Sequence, residues 1–482
     1  MAANTTNAIE DFDAQRWFDA HRAEFIEDLC RLVRIRSVSE RDEGGYPFGT
    51  GCARALHHIL ARAQEMGFQT ENDEDYCGSI LLPGETEQEI GIFVHLDVVP
   101  EGDGWTFEPY GGVEWNGFVV GRGSADNKGS VICALYLLRF LKERGTRFHH
   151  GIRLFFGCDE EAGMRDIEYF LQKHPAPVFG FAADAPFGVC HGERGSLSAT
   201  FKRPLSGRVL TEFSAGTAAN VIPNYARAVL RNIDLEAARA RLGSEVQLTP
   251  LDGAVSAEAH GSAAHAANPA GSQNAAAVLA GQLADSGLLS EDETAAMRTL
   301  AETFSDYEGQ GIGFPYEDEV SGRLTHAGGI VELKDGELRY SVNIRYPVTT
   351  DRDALHRALE SYCQRSGLCC EQMRDSAPSY IPADDPVVDY LYRVAVDVLN
   401  PRLTKYILGG GTYGRKLPRG VSYGPGVRPR YSPFETGRGM GHQPDECVEI
   451  NVLRNGFRVY CQALPGLDEL LKSQEKSAIK SQ

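Results

Sequence analysis

Residues 90–97 read IGIFVHLD, a short and almost entirely apolar run that leads into His95 and Asp97. A run of this length and composition is typical of a strand buried inside a sheet, here Ile90–Leu96. Similar runs and amphipathic helical patterns alternate around it. The further predicted strands are Gly78–Leu82, Ile152–Cys158 and Val178–Ala183, and the predicted helices are Arg22–Ile35, Cys52–Met66 and Gly129–Arg144. This alternation predicts an α/β fold with a mixed, largely parallel sheet flanked by helices.

The pattern changes after Gly195, where apolar and polar residues alternate as they do in half-exposed antiparallel strands. Signals for buried strands return at Lys405–Leu408 and Val421–Gly424, after a predicted helix at Pro386–Leu399. We therefore predict a first domain over 1–194 that resumes over 384–482, with an α+β domain inserted over 195–383. The polar C-terminal segment Lys472–Gln482 is expected to fray.

The composition limits the possible partners. The 482 residues carry a net charge of −19, which makes the chain a poor binder of nucleic acid or anionic membranes. Apolar runs long enough to span a bilayer are missing, and the N-terminus lacks the basic start and apolar core of a secretory signal. The cysteines number 11, without a C-x-x-C motif, which favours free thiols in a reducing compartment. A cytoplasmic protein is predicted.

Histidines and carboxylates recur where the predicted strands end and in two later loops. They are His95, Asp97, Asp126, Glu160, Glu161, Asp184 and His442. Ligands of parallel α/β sheets gather at the carboxyl ends of strands, so the fold can bring this set together. Each residue alone has an ordinary structural interpretation, Asp126 as a helix cap for example. Crowded carboxylates need cations to neutralise them, and imidazole with carboxylate but no thiolate suits Zn, Mn or Co. The set suffices for two metals that share one carboxylate.

Four motifs carry a resemblance to a known family: HLDVVPEGDGW at 95–105, GRGSADNKG at 121–129, DEE at 159–161 and DAPF at 184–187. They resemble the co-catalytic dinuclear zinc metallopeptidases, which include carboxypeptidase G, aminoacylase and succinyl-diaminopimelate desuccinylase. The motif VVPEGDGW and the chain length resemble those of the PepV-like dipeptidase branch. The resemblance implies a zinc-exopeptidase-like fold with a lid domain. It also implies a metal-dependent dipeptidase for substrates with a free C-terminal carboxylate.

The resemblance assigns metal ligands residue by residue. His95 and Asp184 would bind one divalent ion, and Glu161 and His442 would bind the other. Asp126 would bridge the two. Zinc is the first choice for both ions, with Mn or Co as alternatives.

The resemblance also assigns residues that support these ligands. Asp97 would orient His95, and Glu160 would be the general base for the attacking water. The peptide bond from Asp126 to Asn127 is expected to be cis. Many relatives carry Asp in place of Asn127, a departure that changes none of the implied ligands.

The inserted domain holds three further matches. Asn220 lies in a segment similar to one whose Asn contacts substrate in the family. His265 ends a Gly-x-x-Ala-His segment whose imidazole would donate to the developing oxyanion, whereas His260 lies nearby without the motif. Arg345 lies on a predicted strand similar to one whose Arg binds the terminal carboxylate of the substrate.

Residues 409–414 read GGGTYG and satisfy the G-x-G-x-x-G pattern of dinucleotide sites. Such a site needs a helix that begins at the glycines, but Pro418 and Pro425 prevent a long helix there. In the PepV-like branch this run lines the substrate pocket, where the backbone at Gly410 and Gly411 would bind a carboxylate.

Other functions remain open at this stage. An N-acyl amino acid deacylase would need the same metals. A non-catalytic binding protein on the same fold would be expected to have lost ligands, and here they are all present. A serine hydrolase is disfavoured because the chain has no Gly-x-Ser-x-Gly elbow. The long lid could replace a partner subunit, so the sequence is compatible with a monomer, while a homodimer stays open.

Overall fold

The computed structural model describes residues 9–41, 44–399, 402–426 and 431–480, with side chains up to residue 477. The chain divides into two compact units. Unit 1 comprises Met1–Gly192, Tyr380–Tyr406 and Gly411–Gln482, and unit 2 comprises Glu193–Ser379 and Ile407–Gly410.

The α-helices of the described residues are α1 Asp11–Val33, α2 Gly49–Glu65, α3 Lys128–Arg144, α4 Arg165–Lys173, α5 Leu235–Arg241, α6 Ala275–Asp285, α7 Glu291–Ser305, α8 Arg352–Ser366, α9 Pro386–Leu399 and α10 Ile450–Lys480. A single turn of 3-10 helix covers Tyr413–Lys416. None of the described helices combines the length and the apolar composition that crossing a bilayer would need.

The strands of the described residues, in chain order, are β1 Thr70–Asp73, β2 Cys77–Leu82, β3 Glu89–His95, β4 Val113–Trp115, β5 Phe118–Val120, β6 Gly151–Gly157, β7 Phe179–Ala182, β8 Ala185–Pro186, β9 Val189–Glu193, β10 Gly195–Pro204, β11 Leu210–Ala215, β12 Tyr225–Arg231, β13 Val246–Leu251, β14 Ala254–His260, β15 Glu317–Asp318, β16 Gly322–Arg323, β17 Thr325–Lys334, β18 Glu337–Tyr346, β19 Cys369–Ser376, β20 Ser379–Tyr380, β21 Lys405–Leu408, β22 Gly420–Ser422, β23 Pro425–Gly426 and β24 Cys447–Glu449.

The main sheet of unit 1 has the strand order β1-β2-β6-β3-β7-β22-β9-β20, with β21 paired to β9. Its centre is parallel, because β3 runs parallel to β6 and β7, and β22 runs parallel to β7. Strands β1, β2 and β9 pair in the antiparallel direction toward the two edges. The predicted mixed, largely parallel sheet is confirmed.

Helix α3 anchors the centre of unit 1. Every residue from Lys128 to Leu138 is buried, because the helix packs against β3 on one side and α1 and α10 on others. A helix that is apolar all round needs such cover on each face. The loop that leads into α3 through Asp126 is thereby joined to a helix held in the core.

Unit 2 is built on an antiparallel sheet with the strand order β13-β14-β12-β11-β17-β18-β10-β19. Helix α6 packs on β12 and β14, and α7 packs on β17. The apolar side of this sheet and these helices form one core that contains Phe201, Leu279, Leu300 and Val342. Unit 2 therefore has the predicted α+β character.

Several helices differ from the prediction. Helices α4, α7 and α8 were not predicted, and the differences at α1 and α10 concern the two ends of the chain. Helix α1 begins at Asp11 rather than Arg22, and its first turns already bury Ala14 and Phe18. Helix α10 was not predicted, and it includes most of the segment that was expected to fray. Ser481 and Gln482 lie outside the described residues.

Candidate metal centre

The parallel strands of the main sheet bring their carboxyl ends to the same side. The predicted site residues of unit 1 lie at or near these strand ends. His95 is the last residue of β3 and pairs with Gly157, the last residue of β6. Glu160 and Glu161 follow β6, and Asp184 follows β7. Asp126 lies just before α3, and His442 lies in the loop that leads to β24.

The two oxygens of Asp126 face two different imidazoles. Its Oδ1 lies 3.2 Å from Nε2 of His95, and its Oδ2 lies 3.3 Å from Nε2 of His442. The bond between Asp126 and Asn127 is cis, as the family resemblance implies. A carboxylate placed in this way can hold two cations at once.

A second carboxylate accompanies each imidazole. Oδ2 of Asp184 lies 3.6 Å from Nε2 of His95, and Oε1 of Glu161 lies 2.8 Å from Nε2 of His442. The donor atoms of His95, Asp126 and Glu161 all lie within 4.8 Å of one another, as do those of His95, Glu160 and Asp184. The structure therefore brings the five predicted ligands and Glu160 together.

Asp97 links the two strand ends. Its backbone carbonyl lies 3.0 Å from Nδ1 of His95, and its Oδ1 lies 3.4 Å from the same nitrogen. Its carboxylate accepts the backbone N–H groups of Glu160 at 3.1 Å and Glu161 at 2.9 Å. Asp97 therefore positions the Glu160–Glu161 turn as well as the His95 ring.

Asn127 takes part in the site, although its replacement of Asp looked neutral in the sequence. Its side-chain N–H donates to Oδ1 of Asp184 at 3.0 Å and to the carbonyl of Ala183 at 2.9 Å. Its carbonyl oxygen accepts the backbone N–H of His95 at 3.3 Å. The residue changes no ligand, but it orients one ligand and supports the backbone of another.

The carboxylates and imidazoles strongly perturb one another. Burial raises the pKa of Glu161 to about 7, and burial together with the charge of Asp126 raises the pKa of Asp184. Burial opposes ionisation of Asp126 too, but His442 and His95 outweigh it and hold that pKa below its usual range. Hydrogen bonds that His442 donates to Asp126 and Glu161 raise the pKa of His442 to about 11. The cluster would hold protons wherever it does not hold cations.

The donor atoms fit a divalent metal. Nε2 of His95 is buried and, among the described residues, has no hydrogen-bond partner, although carboxylate oxygens lie close to it. Such a nitrogen is typical of a metal ligand rather than a hydrogen-bonded core histidine. Imidazoles and carboxylates without a thiolate suit borderline and hard divalent ions.

Asn220 and His265 lie together in unit 2. The backbone carbonyl of Asn220 accepts the N–H of Ala266 at 2.9 Å, and Val221 forms a bridge with His265. Nδ1 of His265 accepts the N–H of Ala267 at 3.1 Å. A neutral ring then carries its hydrogen on Nε2, which leaves that nitrogen as a donor.

Arg345 lies on β18 in unit 2 and is half-buried. Its Nε–H donates to Oδ1 of Asn343 at 3.0 Å, and the side chain of Asn343 donates in turn to Ser198 at 2.8 Å. This chain of hydrogen bonds fixes the direction of the guanidinium.

The glycine run does not open a long helix. The run is followed directly by the short 3-10 turn Tyr413–Lys416, so the long helix that a dinucleotide site needs does not begin there. A Cβ added at Gly410 would meet nothing within 4 Å, so the backbone there is open to a ligand. Gly411 belongs to unit 1 and Gly410 to unit 2.

A family model for "Peptidase family M20/M25/M40" matches residues 91–465. The chain belongs to this family. Membership implies a divalent metal, so the protein is a metal-dependent peptidase that acts on peptide bonds. The resemblance inferred from residues 95–187 is thereby confirmed.

Two relatives of this M20 chain align along most of its length. "Putative dipeptidase YtjP" of Bacillus subtilis (strain 168) is 31% identical over 460 residues, which cover 92% of this chain and 97% of the relative. "Beta-Ala-Xaa dipeptidase" of Lactobacillus delbrueckii subsp. lactis is 30% identical over 482 residues, which cover 96% and 100%. The fold is also shared with human carnosine dipeptidase 1, at 14% identity and a TM-score of 0.57, with 96% of this chain and 100% of that chain covered.

Glu446 supports the metal centre of this M20 peptidase, a role that was not predicted from the sequence. One carboxylate oxygen accepts the backbone N–H groups of Gly123 at 3.1 Å and of Ala125 and Asp126 at 3.0 Å. The other accepts from Arg122 at 2.6 Å, in a fully buried ion pair. Glu446 therefore fixes the backbone of the loop that presents Asp126. The sequence contained one indication of this role, because the glycine-rich loop before α3 has backbone N–H groups that need an acceptor.

Glu446→Gln should lower the free energy of unfolding by about 3–5 kcal/mol, since it leaves the buried Arg122 charge without its partner. Chemical denaturation of metal-free protein measures this. The matched control is Glu27→Gln, which breaks the exposed pair of Glu27 with Arg31 and should cost at most about 1 kcal/mol. Equal losses in the two variants would contradict the role of Glu446.

Proposed function

We propose that the protein is a dipeptidase with two divalent metal ions, of which zinc is the first choice. The observation that carries this proposal is Asp126, whose two oxygens each face an imidazole that is accompanied by a further carboxylate. Relatives named dipeptidases, which align over more than nine-tenths of the chain, support the substrate class.

In this proposal His95 and Asp184 hold one ion, Glu161 and His442 hold the other, and Asp126 belongs to both. Bound cations of this kind supply polarisation of the scissile carbonyl and a lowered pKa for the attacking water. The protein residues provide the rest of the chemistry.

Glu160 is proposed as the general base. Its Oε1 is buried and, within the described part of the chain, has no hydrogen-bond partner, so it can receive a proton from the attacking water. Asp97 holds the backbone of Glu160 in place. The same carboxyl group then gives the proton to the leaving amine as the peptide bond breaks.

A second group of residues is proposed to recognise the substrate. Arg345 would bind the terminal carboxylate through a bidentate fork, supported by backbone N–H groups at Gly410 and Gly411. His265 would donate its Nε2–H to the oxyanion that forms at the carbonyl, and Asn220 would contact the substrate beside it.

Rates on three substrates test the substrate class: a dipeptide, its N-acetylated form and a tripeptide. A dipeptidase should hydrolyse the free dipeptide with the highest kcat/KM. A preference for the N-acetylated compound would support an N-acyl amino acid deacylase with the same metal centre and would contradict the proposal.

Arg345→Lys should raise KM for a dipeptide strongly, because an ammonium group cannot reproduce a bidentate contact with a carboxylate. A dipeptide amide, which lacks the negative charge, should be affected much less. Arg339→Lys, an exposed arginine of the same strand that pairs with Glu337, is the control and should leave both substrates unchanged. Equal losses on the dipeptide and its amide would show that Arg345 does not bind the carboxylate.

A further inference from the structure

Two consecutive histidines, His149 and His150, directly precede β6. They lie at the amino end of this strand, whereas the metal centre lies beyond its carboxyl end. Nε2 of His150 lies 3.1 Å from Oε1 of Glu475, and Nε2 of His149 lies 3.7 Å from Oε2 of the same residue. Glu475 lies near the end of α10. His150 is fully buried, whereas the side chains of His149 and Glu475 are 19% and 30% exposed, so the group can be reached from solvent.

From these contacts we propose that His149, His150 and Glu475 bind a divalent cation of the zinc type, separate from the catalytic centre. The ion would fasten the end of α10 to the start of β6. Its role is structural.

The orientation of His150 is the first argument. Asp468 accepts the backbone N–H groups of His149 at 2.7 Å and His150 at 2.9 Å, and its Oδ1 lies 2.7 Å from Nδ1 of His150. A carboxylate oxygen at this distance accepts the ring hydrogen at Nδ1, so a neutral ring directs its Nε2 lone pair at Glu475. Carboxylate–histidine pairs of this kind orient metal ligands.

His149 repeats the arrangement. Its Nδ1 lies 3.2 Å from Oε2 of Glu85, while its Nε2 faces Glu475 at a distance beyond hydrogen-bond range. Both rings therefore have a carboxylate at Nδ1 and direct Nε2 to the same third carboxylate. A direct hydrogen bond does not explain the 3.7 Å contact.

The spacing of the donor atoms suits one ion. Donors bound to zinc at about 2.0–2.2 Å in a tetrahedral arrangement lie roughly 3.3–3.5 Å apart. The two separations of 3.1 and 3.7 Å fall on either side of that range, and all three donor atoms lie within 4.8 Å of one another. Nitrogen and carboxylate donors without a thiolate match zinc, cobalt or nickel.

The charge balance also favours a cation. Three carboxylates, those of Glu85, Asp468 and Glu475, surround the two rings, and Lys472 lies 3.7 Å from Glu85. Neutral imidazoles would leave this group negative. The competing arrangement is a proton on His150, held between Asp468 and Glu475.

The catalytic centre is remote from this group. His150 immediately precedes β6, whereas Glu160 and Glu161 follow its other end. A strand of seven residues spans roughly 20 Å, so the two groups share no ligand. A change at Glu475 can therefore be tested without disturbing the catalytic residues.

Zinc content of the zinc-loaded holoenzyme, measured after removal of free metal, tests the proposal. Glu475→Gln should hold one ion per chain fewer than the wild type, with unchanged kcat for a dipeptide. His57→Ala, which removes an imidazole paired with the single carboxylate of Asp75, should hold as many ions as the wild type. Because the readout is a difference between variants, it does not depend on how many ions the catalytic centre binds.

A second variant keeps the test decisive. If Glu475→Gln does not fold, His149→Ala removes one ligand and leaves the buried His150–Asp468 contact intact, and the same loss of one ion is expected. Equal zinc contents in the wild type and the folded variant would overturn the proposal and identify the group as a protonated ion-pair network.

Discussion

Glu160→Gln should lower kcat for a dipeptide by ~10²–10⁴-fold, the usual contribution of a general base. The amide keeps the size of the carboxyl group but cannot accept a proton from water. Metal content should stay at the wild-type level, because Glu160 is not proposed as a ligand. Steady-state kinetics and metal analysis on the same preparation measure the two effects together.

Glu161→Gln is the matched comparison, since it makes the same chemical change at the neighbouring residue. Glu161 lies 2.8 Å from His442 and is proposed as a ligand, so this variant should lose metal as well as activity. If Glu160→Gln lost metal while Glu161→Gln kept it, the two roles would be reversed.

Asp126→Ala should have a still larger effect. Its carboxylate is the one that faces both His95 and His442, so its removal weakens both proposed cation positions. Bound cations contribute several kcal/mol to such reactions, which corresponds to losses on the order of 10³–10⁵-fold in kcat. Metal content should fall further than in Asp184→Ala, which removes a ligand of one position alone.

Asp103→Ala is the control for Asp126→Ala. Asp103 is an exposed carboxylate in the loop that follows β3, and its removal should change neither metal content nor kcat. Retention of full metal content by Asp126→Ala would contradict the bridging role.

Local patterns could predict where several candidate residues of the metal centre lie, whereas the role of each residue came from the family resemblance. Buried parallel strands are short apolar runs, so the sequence shows where β3, β6 and β7 end. His95, Glu160 and Asp184 stand at or just after those ends. The parallel register brings these ends together, since His95 pairs with the last residue of β6.

Glu446 and Asn127 could not be predicted in the same way. Their partners lie in segments far away in the sequence, and such contacts leave no periodic pattern. Glu446 accepts three N–H groups from the loop before α3, more than 300 positions earlier in the chain. A conservative residue change such as Asp to Asn at 127 likewise shows its effect only when the contact with Asp184 is seen.

Helix α10 was missed because glycine and proline interrupt its pattern. Pro465 lies inside the helix. Gly456 and Gly466 each allow close approach of another group, Pro425 and the Tyr390 hydroxyl respectively. Tertiary packing outweighs the low helix propensity of these residues. The end of α10 also carries Asp468 and Glu475, whose contacts with His149 and His150 tie it to β6.

Metal titration of chelator-treated protein, followed by hydrolysis of a dipeptide, tests the central claim most directly. The account predicts that the metal-free protein is inactive and that zinc, manganese or cobalt restores hydrolysis. Activity should reach its maximum as the positions formed by His95, Asp126 and His442 fill, with two ions per catalytic centre. Full dipeptide hydrolysis by protein shown to contain no metal would contradict the account.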